Sequence, residues 1–431
     1  MHDHERVEVP QRVRRLLLLA VVPFAVATVA GLVLLWPSDP PTGSEVLGPP
    51  AELYDGRVTE VVERPCLGDT EARCFDVVVR LSQGPDQGEQ VAVEVGQGTQ
   101  APRLREGAPV VLGRAPGAES TADYYFADHQ RDRPLLLLGA LFAVAVVVLG
   151  RWRGLAALGA LAVSLLVIVF FVLPAILDGR SPLAVAVVGA AAVMFVALYL
   201  THGVTAQTTT AVLGTLVSLA LTAVLAAVFV GASRFTGLAS EEANFLQAAA
   251  GQVNVRGLLL GGIVIGSLGV LDDVTVTQAS AVWQLHRADP SQSARALYRS
   301  ALRIGRDHIG STVNTLVLAY AGASLPLLLL FTLSSQPVGA VVTGEVVAQE
   351  VVRTLVGSVG LIASVPVTTA LAAAVVSQAR PVEVDPWAEW EEPPEEPKKR
   401  PRRDKRREKR AEPGWEPPKA ERDFWGDLAD E

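Results

Sequence analysis

Residues Leu155–Leu177, LAALGALAVSLLVIVFFVLPAIL, carry no charge and one hydroxyl, that of Ser164. A run of this length matches the roughly 20 residues a helix needs to cross a hydrocarbon core about 30 Å thick. A soluble protein would instead spread its apolar residues at helix or strand period. Comparable blocks recur at Leu16–Trp36, Pro134–Gly150, Leu183–Leu200, Ala206–Phe235, Arg256–Val282, Ser311–Leu333 and Thr354–Ser377. Together they predict an α-helical integral membrane protein with about eight transmembrane helices.

Composition agrees. Half of the 431 residues are apolar, 19% are charged and the mean hydropathy is +0.34, too apolar for a soluble enzyme of this size. The net charge of −8 says little about partners, because it sums over segments on opposite sides of a membrane. Every lysine lies beyond residue 379, and arginine supplies the remaining basic charge. This Arg-, Ala- and Val-heavy usage suggests a GC-rich bacterial genome.

The first block follows Arg12, Arg14 and Arg15. A cleaved signal would have an apolar region of only ~7–15 residues and a small-x-small site, and Thr28-Val29-Ala30 is a poor one. Residues 16–36 therefore read as an uncleaved anchor behind a cytoplasmic N-terminus, 1–15. Arginine placement sets the orientation. With the N-terminus inside, Arg151, Arg153, the cluster Arg287, Arg295, Arg299, Arg303, Arg306 and the basic tail all face the cytoplasm. The outer loops then hold little more than Arg180, Arg234, Arg256 and Arg353.

Residues 37–133 differ in kind. Arg57–Glu63, Phe75–Leu81, Gln90–Val95 and Pro109–Gly113 alternate apolar and polar residues between Gly/Pro-rich turns, as half-buried strands do. About five strands predict a small extracytoplasmic β-rich domain, OB-like or a sandwich. It serves as a spacer, a partner-binding domain or a ligand-binding one. Cys66 and Cys74 both fall in it, and a pair closing a short loop in an oxidising compartment is most simply a disulfide. Residues 134–378 form a seven-helix membrane core. The segment 379–431, with blocks of Pro, Glu, Lys and Arg, cannot bury enough apolar surface to order and reads as a disordered cytoplasmic tail. Its basic run suits anionic lipid headgroups, each charge worth about 1 kcal/mol near the surface. No aromatic interleaving points to nucleic acid.

GVLDDVTVTQ, Gly269–Gln278, is the most informative stretch. It places Asp272 and Asp273 inside an apolar block, followed by Thr275, Thr277 and Gln278. An ionised carboxylate at mid-membrane costs at least ~2.5–3.5 kcal/mol, so such residues face a polar interior, pair with a cation or stay protonated. Gly262, Gly266, Gly269, Asp273, Thr277 and Ser280 share one stripe at three- and four-residue steps. Asp273 is therefore expected at a helix–helix seam, with Asp272 on its flank. In one reading the pair binds a cation or carries protons. In the other, the helix breaks near Leu271 and Thr275-x-x-Gln278 forms a capping box. Discontinuous helices often build transporter sites, so the two are compatible.

Downstream, Asp289-Pro290 has the form of an N-cap and first helical position. Ala294, Leu297, Tyr298, Ala301 and Leu302 then oppose Arg295, Arg299, Arg303 and Arg306, as in a basic amphipathic helix lying along the inner membrane surface. A site for a phosphate-bearing ligand is the sharper alternative. Asn314 falls near the expected depth of the carboxylates and could bond one of them. Pro366 must free a backbone carbonyl, which predicts a helix break that Thr368 or Thr369 would satisfy. His202 sits where its span meets the cytoplasm, structural or functional.

GVLDDVTVTQAS, IGRDHIGSTVNTLVLAY and GLIASVPVTTALAA, in this order, resemble the YibE/F-like family of bacterial membrane proteins over about residues 135–378. ADYYFADHQRDRP is similar to the region before the membrane core in YibE-type members. His308 departs from the motif, whose slot is apolar. The resemblance implies a multi-pass plasma (inner) membrane protein with both termini cytoplasmic, and carries no mechanism.

The leading functional expectation is a secondary transporter or permease for an unknown small solute or ion. Asp272, Asp273, Thr275, Thr277, Gln278 and Asn314 are its candidate site. The alternative is a non-transporting scaffold or assembly factor, whose outside domain binds protein partners and whose Asp pair is structural. An intramembrane aspartyl protease needs carboxylates facing each other, usually from different helices, whereas Asp272 and Asp273 point about 100° apart. No phosphate-cradling loop appears. Neither an enzymatic activity nor a cofactor or metal is expected.

Overall fold

The computed structural model describes residues 9–41, 43, 50–66, 69–97, 104–114, 117, 120–333 and 336–379, with the side chains of 64–66, 69–74, 96 and 97 outside that set. The expected charged tail and the first residues of the chain lie outside it. So do the side chains of Cys66 and Cys74, on which the expected disulfide depends. The backbone there is a hairpin that pairs Arg64 with Cys74 and Cys66 with Asp69.

Five antiparallel strands form the N-terminal sheet: β1 (Glu52–Cys66), β2 (Asp69–Leu81), β3 (Gln90–Gln97), β4 (Pro109–Arg114) and β5 (Tyr124–His129). Their order is β3-β2-β1-β4-β5, a single sheet and not a two-sheet sandwich. Edge strands β3 and β5 come into contact, so the sheet curls into a half-barrel. The strand period explains the core: Val77, Val79 and Leu81 on β2 and Val91, Val93 and Val95 on β3 all point inward. Strand β5, YYFADH, lies outside the four runs quoted from the sequence because it lacks their valine alternation.

Helices make up the rest. In order they are α1 (Gln11–Leu34), α2 (Asp132–Leu177), α3 (Pro182–His202), α4 (Ala206–Ala232), α5 (Glu241–Ala249), α6 (Val255–Ala288), α7 (Ala294–Ala323), α8 (Leu325–Leu333), α9 (Val338–Thr343) and α10 (Glu345–Val376). Among the described residues six are long and apolar enough to cross a membrane, and α7 with α8, bent by 64°, make a seventh if that pair is counted as one span. One of the six, α2, has 46 residues, about 69 Å if straight and more than twice a hydrocarbon core. It is not straight. Arg151 has φ 51° and ψ −128°, outside the helical region. Gly154 lies so close to the Val146 carbonyl that a Cβ there would overlap it. Residues eight apart in a straight helix lie about 12 Å from each other, so the chain reverses at Arg151. Its halves, 132–150 and 152–177, are separate apolar helices.

Helix α6 sits at the centre, packed on α3, α4, α7 and α10. Met194, Leu198, Val212, Leu219, Val264, Leu268, Leu271 and Leu361 fill the space between these helices. Outward, Leu135, Leu136, Leu149, Phe170 and Val224 are exposed. So apolar an outer surface suits lipid and not water.

The amphipathic stretch after Asp289 is not a separate surface helix. It forms the first turns of α7, which runs on unbroken to Ala323. Leu297 and Ala301 are fully buried on its apolar side. The cap is Ser293, whose Oγ accepts from the Ala296 N–H at 3.3 Å. Asp289 instead accepts from the Ser291 N–H at 3.1 Å and the Ser291 hydroxyl at 2.6 Å.

Candidate functional site

The carboxylate pair lies midway along α6, and this helix has no break at Leu271. Thr275 and Gln278 are not a capping box. The Thr275 hydroxyl is within 3.0 Å of the Asp272 carbonyl and 2.6 Å of the Thr215 hydroxyl on α4. Gln278 donates from Nε2 to the Ala301 carbonyl on α7 at 3.3 Å. Both side chains are buried and tie α6 to its neighbours. Thr275 is thereby tied into the packing, whereas Gln278 also lines one of the cavities beside Asp273.

The expected seam is also reversed. Ser267, Leu268, Leu271, Thr275, Gln278 and Val282 form the buried side of α6. Gly262, Gly266, Gly269, Asp273 and Thr277 are exposed on the opposite side. Asp272 stands between the two, half-buried, and its Oδ1 is enclosed without a hydrogen-bond partner. A three- and four-residue stripe says which residues share a face, not which way that face turns.

Two cavities flank α6. One, of about 340 Å³, is lined by Ser164 of α2, Thr201 and His202 of α3, and Gly269, Asp272 and Asp273. The other, of about 210 Å³, lies between α6, α7 and α10, lined by Asp273, Thr277, Gly305, His308, Thr312 and Leu361 among others. Asp273 belongs to both. The Thr201 hydroxyl and His202 Nδ1 are 2.7 Å apart, which orients the imidazole.

Asn314 lines neither cavity. Leu297, Ala301, Gly305 and Leu316 form the buried side of α7, so Asn314 is turned outward and bonds neither carboxylate. The break expected at Pro366 is absent too, since α10 is helical throughout. Thr369 donates to the Val365 carbonyl at 2.6 Å, and the buried Thr368 Oγ1 has no partner. Among the described residues no group of three or more His, Cys, Asp or Glu is placed to hold a metal ion.

A second feature escaped the sequence reading. Helices α4 and α10 are antiparallel and meet through reciprocal notches. A Cβ on Gly214 would overlap the Thr368 hydroxyl, and one on Gly360 would overlap that of Thr222. Both helices carry the same pattern, Gly214-x3-Ser218-x3-Thr222-x2-Leu225-Ala226-Ala227 and Gly360-x3-Ser364-x3-Thr368-x2-Leu371-Ala372-Ala373. Comparing the chain with itself would have found it. The two central serines bond within their own helices, Ser218 to the Gly214 carbonyl and Ser364 to that of Leu361.

The residues enclosing these features also carry the likeness to known proteins. No curated protein and no solved structure matches the chain. The family model described as YibE/F-like protein matches residues 138–378, more than half of the sequence and all of the helices that line both cavities. The chain belongs to the YibE/F-like family.

Proposed function

We propose that this chain is a multi-pass protein of the bacterial plasma membrane and a secondary transporter or permease, in which Asp272 and Asp273 form the cation or proton site. Both termini face the cytoplasm in this reading, with the half-barrel outside. The bilayer and its anionic headgroups meet the basic start of α7 and the charged tail. One observation carries the proposal: Asp273 is a common wall of two cavities on either side of α6. A side chain reached from two spaces can take up an ion from one and release it to the other. The lone Oδ1 of Asp272 adds an acceptor that no protein donor satisfies. Antiparallel α4 and α10, with one pattern in opposite directions, suit the inverted repeats on which many secondary transporters are built. The scaffold reading needs carboxylates that hold helices together, and neither bonds another helix among the described residues. No chemistry beyond ion and solute movement is assigned.

The test is flux. Full-length protein in liposomes with an entrapped pH dye is given a potassium diffusion potential, and the rate of internal pH change is read. Protein-dependent proton movement that Asp273→Asn abolishes, at normal insertion and abundance, supports the reading. A sodium-gradient arm detects a metal cation in place of the proton. Failure of the variant to accumulate would make the pair structural.

A further inference from the structure

Among the described residues the outward side of α6 is open along part of its length, although the Tyr320 hydroxyl of α7 lies 3.2 Å from a Cβ built on Gly266. Gly262, Gly266, Gly269, Asp273 and Thr277 are exposed along it, and nothing lies within 4 Å of a Cβ built on Gly262 or Gly269. Beside it, α7 exposes His308, Ser311, Asn314 and Thr315. The two surfaces meet at one level, because Asp273 and His308 line the same cavity. Among the described residues the side chains of Asp273, His308 and Asn314 make no hydrogen bond. Polar side chains in membrane spans almost always face protein or water, and a carboxylate turned to hydrocarbon costs at least ~2.5–3.5 kcal/mol. Asp273 meets the neighbouring helices only across the two cavities, so the exposed part of this surface calls for a polar cover beyond what the chain's own described helices supply.

We infer that the α6–α7 face is the interface between two copies of this chain, related by a two-fold axis along the membrane normal. Such an axis keeps every residue at its own depth and exchanges neighbours, so α6 of one copy meets α7 of the other. Its chemistry is self-complementary. Asp273, an acceptor on α6, comes to the level of the donor His308 on α7 of the second copy. Glycines 262 and 269, with open space where a Cβ would lie, remove the side chains that would hold the helices apart, as small residues do at membrane helix contacts. A face that carries acceptors on one helix and donors on the next, at one depth, satisfies a second copy of itself. An unrelated partner would need the same arrangement by coincidence. The inference rests on the reading of α6 and α7 as membrane-spanning, and not on transport.

Full-length protein bearing one fluorophore per chain is reconstituted in lipid nanodiscs, and bleaching steps are counted. Two steps are expected for the wild type. Gly262→Leu should shift most particles to one step, whereas Ala145→Leu, on the exposed helix 132–150, should leave two. A photo-crosslinking residue at Thr277 should give a species of twice the chain mass. Single-step bleaching of the wild type overturns the inference. So do adducts at 277 to lipid alone or only to another protein, a readout that stands even if Gly262→Leu fails to fold. Carbonate extraction of the chain from membranes overturns it at its premise, before any stoichiometry is read.

Discussion

Gly214 of α4 receives the Thr368 side chain of α10, and eight residues on along α4 and eight back along α10, Thr222 fills the place left by Gly360. The two contacts are one contact made twice, in opposite directions. Substituting either glycine by valine forces a branched side chain onto a hydroxyl with nowhere to go. Overpacking of this kind costs about 1–3 kcal/mol. The expected outcome is a matched pair: Gly214→Val and Gly360→Val lower the thermal midpoint in detergent by similar amounts. Static light scattering or fluorescence-detected size exclusion after heating measures it. A large loss at one site and none at the other would contradict the reciprocal arrangement.

The hydroxyls of Thr215 and Thr275, 2.6 Å apart and fully buried, join α4 to α6. Each also lies near a carbonyl of its own helix, Ala211 for Thr215 and Asp272 for Thr275. Those local acceptors leave either residue with a partner when the other is replaced. Coupling between them should therefore be close to the average of about 0.6 kcal/mol for membrane helix hydrogen bonds. A double-mutant cycle with Thr215→Val and Thr275→Val, read by reversible unfolding in mixed micelles, measures it. Coupling of several times that value would show that the local bonds do not compensate.

Much of this architecture is legible in the sequence, and the limits are physical. Uninterrupted apolar blocks give the helices, and Arg151 and Arg153 mark where 132–150 hands over to 152–177. The location of Asp272 and Asp273 is legible as well, since charge in an apolar run stands out. Their orientation is not. In a membrane helix the buried and outward sides are both small and apolar, so hydrophobicity does not point inward as it does in water. Here the hydroxyl side, Ser267 and Thr275, went inward and the glycine side outward. The meeting of His202 and Ser164 with Asp272 joins three helices and has no trace in local spacing. A helix break at Leu271 or Pro366 is what each local pattern favours, and packing against α4 and α10 overrides it.

In the half-barrel, Asp86 accepts from the Tyr124 hydroxyl at 2.8 Å and lies 3.4 Å from Arg114, whose guanidinium stands 5.4 Å over the Tyr124 ring. Burial, then the hydrogen bond to Asp86, pushes the phenol up to about 12. A pKa raised in the folded state means that the neutral phenol is favoured by folding. Its contribution is full below the ordinary value of about 10 and is lost as pH rises through about 12. The difference between ultraviolet titrations of wild type and Tyr124→Phe should isolate one phenol ionising near pH 12. Asp86→Ala should bring that step down and cost about 1–3 kcal/mol in domain stability through the Tyr124 hydroxyl left without its acceptor.

The segment after α1 is held by a carboxylate 140 residues further along the chain. Asp178, just beyond α2, accepts from the Ser38 N–H at 3.1 Å and the Ser38 hydroxyl at 3.3 Å, and Arg180 Nε lies 3.3 Å away. Arg180 also donates to the Ser38 hydroxyl at 3.1 Å, which closes the loop of contacts. The Ser38 N–H, first among these, holds the Asp178 carboxyl below the usual range. A depressed folded pKa gives a contribution present above the ordinary aspartate value of about 3.9 and lost as pH falls through the lower one. Hydrogen exchange of peptides covering residues 36–41 should therefore show protection at pH 6 that is progressively lost below pH 4, after correction for intrinsic rates. Asp178→Asn should remove most of that pH dependence, because its amide does not titrate. Protection that persists unchanged to pH 2 would mean that the segment is held by contacts other than this carboxylate.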